Sequence, residues 1–121
     1  MPNKELIAVF EAIIAILRPL TPYLKIVKDD DEQFYLDTRQ LDNKGKPLFF
    51  AAVRLGKDKV LAYLMPVYTD PALLAEISLP LKKRMQGKSC FNFKTLDPTL
   101  LTEWELLVAA GLALYQNDGR A

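Results

Sequence analysis

Gly87-Lys88-Ser89 has the form of the end of a phosphate-binding loop. Such a loop needs a glycine five residues ahead of Gly87, a strand before it and a helix after it, so that successive backbone N–H groups wrap the phosphates. Lys82 stands where that glycine belongs, and the flanking pattern runs from helix to strand instead. Nucleotide binding through this loop is therefore not expected. The segment still gathers four cations, Lys82, Lys83, Arg84 and Lys88. Together with free N–H groups around a Gly87 turn, Arg84, Lys88 and Ser89 form a candidate anion site. The plainer reading is a solvated basic face.

The acidic run Asp29-Asp30-Asp31-Glu32 offers hard oxygen ligands. Calcium loops place ligands at alternate positions and use a glycine for the sharp turn. This run has neither, so a solvated turn is expected and no metal site is assigned. Cys90 could act as a nucleophile only with a stabilised thiolate and a base to take its proton. The chain has no histidine at all, which removes Ser-His-Asp and Cys-His catalysis and histidine-ligated metals together. One cysteine also excludes an intrachain disulfide and any four-cysteine zinc site. No catalytic motif is left, so neither an enzyme nor a cofactor is expected.

The remaining candidates are defined by alternation. Gln33 to Arg39 puts Phe34, Leu36 and Thr38 on one side of a strand and Tyr35, Asp37 and Arg39 on the other. Ser89 to Lys94 does the same, with Phe91 and Phe93 opposite Cys90 and Asn92. If helices cover only the phenylalanine side, Tyr35, Arg39, Cys90 and Asn92 share an open or partner-covered sheet face where mixed aromatic and polar groups can line a ligand groove.

Several elements must position these residues. Asn3 caps a first helix that Pro19 ends, because Leu20 to Pro22 cannot extend the hydrogen-bond ladder. Strands are expected at Tyr23–Lys28, Gln33–Arg39, Pro47–Leu55 and Lys59–Met65, joined by short turns that imply antiparallel pairing. Asp70-Pro71 and Asp97-Pro98 each read as an N-cap before a proline at the first helical position. The first opens a short helix, followed by a helical turn over Ser78–Met85 that Gly87 stops. The second opens the last helix, with Leu100, Leu101, Trp104, Leu107, Val108, Gly111, Leu112 and Tyr115 as its apolar stripe. Asn117 to Ala121 is expected to fray. The element order is thus α-β-β-β-β-α-α-β-α: an α+β fold with an antiparallel sheet of about five strands and helices mainly on one face.

The chain's 121 residues favour one domain over 1–121. Half the residues are hydrophobic and 26% are charged, the balance of an ordinary globular domain. Sixteen basic and fifteen acidic residues leave a net charge of +1, so no large field draws in nucleic acid, and neither nucleic acid nor a membrane is expected as a partner. Leu6 to Leu17, interrupted by Glu11, is shorter than the roughly 20 residues of a membrane span. A free thiol and no export signal fit a cytoplasmic setting. The first helix is apolar around most of its circumference. Burying Leu6, Phe10, Ile13 and Leu17 would leave Ile7, Val9 and Ile16 against water, a pattern that suits a homodimer through this helix or, alternatively, cover by the long stripe of the last helix within the monomer.

Leu64-Met65-Pro66-Val67-Tyr68 and the run Leu81 to Phe93, with its G-K-S-C-F-N-F, resemble the YdhG-like family of small bacterial domains. Gly45-Lys46-Pro47 and the closing helix Leu100 to Tyr115 extend the resemblance, which covers roughly residues 45 to 115. It implies an antiparallel sheet with flanking helices. Some members are described as frataxin-like intracellular iron chaperones, which would here have to use carboxylates of Asp29, Asp30, Asp31 and Glu32. The first helix carries only Glu5 and Glu11, so the acidic ridge of that activity has no counterpart on it. The expected role is a non-catalytic ligand-binding or interaction module with a small ligand. An iron chaperone and an enzyme of unseen activity are the alternatives.

Overall fold

The computed structural model describes residues 3–121. The element order begins with α1 (Lys4–Leu17), a 3₁₀ segment (Arg18–Tyr23), β1 (Lys25–Asp29), β2 (Gln33–Leu41), β3 (Pro47–Leu55) and β4 (Val60–Leu64). It continues with α2 (Met65–Thr69), a second 3₁₀ segment (Pro71–Glu76), α3 (Leu79–Lys82), β5 (Cys90–Phe93) and α4 (Pro98–Asn117). The strands form one antiparallel sheet in the order β1-β2-β3-β4-β5. Each strand pairs with its sequence neighbour: short turns join β1 to β4, and β5 returns beside β4 after the helical segment 65–89. This is the expected α+β fold.

The helices supply one layer and the sheet the other. Leu6, Phe10, Ile13, Ile14 and Leu17 of α1 and Trp104, Leu107, Val108, Leu112 and Tyr115 of α4 are buried against Phe34, Leu36, Val53, Ala62, Phe91 and Phe93. Asn3 caps α1 by accepting the Leu6 N–H at 2.8 Å. Pro19 ends the α-helical ladder as expected, but the chain does not leave the helix axis. It tightens into 3₁₀ turns through Tyr23, with Pro19 in the first turn, where a missing N–H costs no intrahelical bond. The resulting run Lys4–Tyr23 is 20 residues long and apolar enough, by length and composition, to cross a membrane. Six side chains of α1 are instead core residues of the folded domain.

Three expectations about the helices need correction. Val9 is fully buried, and Ile16 packs against the core, so of the three residues assigned to a dimer surface only Ile7, 40% exposed, faces water. The monomer absorbs most of the apolar circumference of α1 because α4, β3 and β4 all contact it. Asp70 does not cap a helix. Its carboxylate takes the Arg120 guanidinium at 2.9 Å and the Thr69 hydroxyl at 2.8 Å, and the segment behind it is 3₁₀. That same Arg120 lies 4.1 Å over the Tyr115 ring, and the Arg120 and Ala121 N–H groups donate to the Tyr115 carbonyl, so the last residues dock where fraying was expected.

Gly87 does not stop a helix, since α3 ends at Lys82. It holds φ +82 in the turn between Gln86 and Ser89, a backbone state in which glycine lacks the usual side-chain penalty. Asp70–Glu76 and Asp97–Glu103 share the pattern D-P-x-L-L-x-E but behave differently. Asp97 does cap α4, accepting from Thr99 and Leu100. Glu103, the last residue of the second segment, clamps the start of α3 by accepting from the N–H and hydroxyl of Ser78.

Candidate functional site

The helices leave one sheet face to solvent. Its composition follows from strand register. Lys28, Tyr35, Ala52, Tyr63 and Cys90 are successive cross-strand partners from β1 to β5, forming one row across all five strands. Gln33, Arg54, Leu61 and Asn92 form the adjacent row, and Lys25, Asp37 and Phe49 a third. Tyr35, Cys90 and Asn92 therefore share a face, as alternation predicts. Arg39 is exposed on the irregular end of β2, where the register to β3 slips between Asp37 and Leu41, and it is not part of these rows.

The anion candidates are divided. An isolated bridge between Met85 and Phe91 places Arg84 opposite Asn92 at the sheet edge, its carbonyl accepting the Asn92 N–H at 2.7 Å. Lys88 stands at the tip of the Gly87 turn and lines a different cleft of about 580 Å³ with Tyr68, Pro71 and Met85. Ser89 uses its carbonyl to accept the Leu64 N–H at 2.9 Å. Arg84, Lys88 and Ser89 thus stand on one hairpin, while only Arg84 adjoins the open face.

At the centre of that face lies a depression of about 310 Å³ lined by Gln33, Tyr35, Phe49, Ala52, Arg54 and Tyr63. Tyr35 and Phe49 pack ring against ring at 4.8 Å. Tyr63 faces them across Ala52. Along the edge of the same face, Asn92 donates to Gln86 Oε1 at 2.6 Å and Lys59 donates to it at 3.2 Å, so the Asn92 side of the face is already ordered by its own polar network. Among the described residues, Arg54 makes neither an ion pair nor a side-chain hydrogen bond, and it is exposed.

The electrostatics match a partly dried surface. Burial pushes the Tyr35 and Tyr63 hydroxyls and the Cys90 thiol above their ordinary values, with Asp37 adding to the effect at Tyr35 and Cys90 adding to it at Tyr63. The Cys90 thiol is therefore not activated, which fits a packed residue and not a nucleophile. Burial also raises Asp37, against the opposing pull of Lys25. An acid whose folded pKa is raised contributes stability below its unfolded pKa and loses it as pH rises through the folded value. Asp37→Asn is accordingly expected to melt above the parent protein at neutral pH and level with it at about pH 3. Thermal melts at the two pH values check this. A lower melting temperature at neutral pH would show that the Lys25 contact outweighs desolvation.

A larger cleft of about 800 Å³ lies between α1 and the β1–β2 turn, bordered by Ile7, Glu11, Ile14, Arg18 and the acidic run. Three of its charges are committed. Arg18 pairs with Asp29 through two contacts at 3.0 and 3.2 Å and stacks 5.0 Å over Phe34. Asp30 accepts the N–H groups of Glu32 and Gln33, which hold its carboxyl below the usual range. Asp29 and Asp30 are thus structural members of a turn, and among the described residues no group of three or more metal-ligating side chains is close enough to hold an ion.

Sequence reasoning missed Phe49, Ala52, Arg54 and Tyr63. Pro47–Leu55 reads as a continuous apolar run, and the register slip between Leu36 and Asp37 puts Phe49 and Ala52, three residues apart, on one face. That bulge leaves no trace in the sequence. Tyr63 was within reach, because Lys59, Leu61 and Tyr63 alternate with Val60, Ala62 and Leu64. Comparison with known proteins finds no matching family model, no matching curated protein and no matching solved structure.

Proposed function

We propose that the protein is a non-catalytic binding module that takes a small ligand on the open face of its sheet. One observation carries this reading: a depression walled by Tyr35, Phe49 and Tyr63 and bordered by an exposed Arg54 that has no ion-pair partner among the described residues. Apolar walls with a few convergent polar groups are the usual make-up of a small-molecule site. The volume of about 310 Å³ lies at the lower end of such sites, roughly 300–1,000 Å³. The absence of histidine and the raised Cys90 thiol favour binding over catalysis. The lone thiol favours a cytoplasmic setting, and the segments Leu64–Tyr68 and Leu81–Phe93 favour kinship with YdhG-like domains.

A screen of small aromatic fragments, read by amide chemical shifts, tests the proposal. Hits are expected to perturb Tyr35, Ala52, Arg54 and Tyr63. Hits confined to the cleft beside α1 would overturn it. An iron(II) titration by calorimetry is expected to give no saturable heat, because Arg18 and the turn backbone already occupy Asp29 and Asp30.

A further inference from the structure

Tyr35, Ala52 and Tyr63 are direct cross-strand neighbours on three adjacent strands. Two strand spacings separate the tyrosine backbones, roughly 9.6 Å in all. A flat aromatic group stacked between two rings needs about 7–8 Å between them, twice an ordinary carbon–carbon contact. The residue between the tyrosines is alanine, a small buried side chain that lines the depression. Any larger side chain at position 52 would fill the slot from within. The width is therefore set by the register of three strands and the smallness of one residue.

The two ends of the slot differ in charge: Arg54 and Gln33 stand at one, Phe49 and Asp37 at the other. Arg54 follows Ala52 by two residues, so it stands on the same face, directly across from Gln33 on β2. Lys28 closes the row next to Tyr35. The acidic turn borders the Gln33 side, where Asp30, Asp31 and Glu32 line a shallow cleft with Lys28 and Gln33; the Asp30 carboxylate is held by two backbone N–H groups and lies within the field of Lys28. Among the described residues Arg54 has no ion-pair partner, and a guanidinium offers a planar, two-point match to a carboxylate or phosphate.

We propose that the slot over Ala52 binds a flat aromatic ring carrying an anionic substituent, with the ring between Tyr35 and Tyr63 and the anion on Arg54 and Gln33. This rests on the open-face reading above and narrows it to one ligand chemistry. An aromatic carboxylate and a mononucleotide both have this chemistry, and separate probes distinguish them.

The full chain is titrated with 2-naphthoate and with adenosine monophosphate, alongside 2-naphthalenemethanol, adenosine and inorganic phosphate as controls, and followed by amide shifts. At least one of the two anionic aromatics is expected to saturate, moving Tyr35, Ala52, Arg54 and Tyr63. Its uncharged counterpart and phosphate alone are expected to bind about tenfold or more weakly, because each lacks one of the two contacts. Whichever anionic aromatic saturates identifies the source. Ala52→Leu, checked by its melt, is expected to abolish binding by filling the slot, and Arg54→Gln to reduce the anionic probe to the affinity of its neutral counterpart. If Ala52→Leu fails to fold, Tyr63→Leu opens one wall and is expected to weaken binding by about tenfold.

Equal binding of charged and neutral aromatics at these residues would overturn the anionic specificity and leave the open-face reading standing. Unchanged affinity in Ala52→Leu, with the fold intact, would overturn the slot. Saturation with shifts confined to other surfaces, or no saturation by either anionic probe at millimolar concentration, would also overturn it.

Discussion

Truncating Trp104 to alanine is expected to cost about 3–5 kcal/mol of folding stability, the range for removing a buried aromatic. Trp104 has no exposure and is the largest fully buried side chain. It meets Phe91 edge-on at 5.2 Å and Phe93 at 6.0 Å, so it joins α4 to β5, the sheet's edge strand. A domain of this size has roughly 5–15 kcal/mol in all, so the loss takes a large share. The indole also carries a burden: its Nε1–H is buried without an acceptor, which costs about 1–3 kcal/mol. Trp104→Phe removes that donor and keeps one ring, so it is expected to lose much less than the alanine variant. Urea melts of both variants check this. An alanine loss below about 1 kcal/mol would contradict the packing of α4 on β5.

The second large effect is expected at Gly111. α4 passes so close to α2 that a Cβ on residue 111 would lie 2.9 Å from Pro66 Cβ and 3.0 Å from its Cγ. The proline ring is stiff and α2 follows β4 without a linker, so neither partner yields easily. Gly111→Val is expected to lose about 3 kcal/mol, the upper part of the overpacking range. Gly111→Ala loses less, because replacing a mid-helix glycine by alanine returns about 1 kcal/mol. Pro66→Gly removes both contacting atoms, so the Gly111→Val, Pro66→Gly pair should lose less than the sum of its single variants. A Gly111→Ala protein more stable than the parent would show that the helices part at little cost.

Much of this architecture is legible along the chain, and the gaps share a physical cause. Pro47–Leu55 is placed to the residue by its turn signals, and the alternation of Phe91 and Phe93 with Cys90 and Asn92 identifies both faces of β5. Asp97 and Asp70 have the same local sequence, yet only Asp97 caps, because Arg120 from the other end of the chain takes the Asp70 carboxylate. Val9 reads as surplus apolar surface on a helical wheel until two strands and α4 are known to surround it. The site divides similarly. Tyr35 and Asn92 follow from period-two alternation. Ala52 and Phe49 depend on a bulge, and the value of Ala52 lies in being small between two tyrosines that only the sheet brings together.

Everything proposed for the ligand depends on the face of Tyr35 and Tyr63 being open to solvent while the opposite face is sealed by helices. A soluble paramagnetic probe, added to the ligand-free protein and read by proton relaxation, measures that directly. The ring protons of Tyr35 and Tyr63 should be strongly broadened, and those of Phe34, Phe91 and Trp104, which have no exposure, should be spared. Tyrosine rings protected as fully as Phe91 would contradict the account, since that face would then be covered and no slot over Ala52 could receive a ligand.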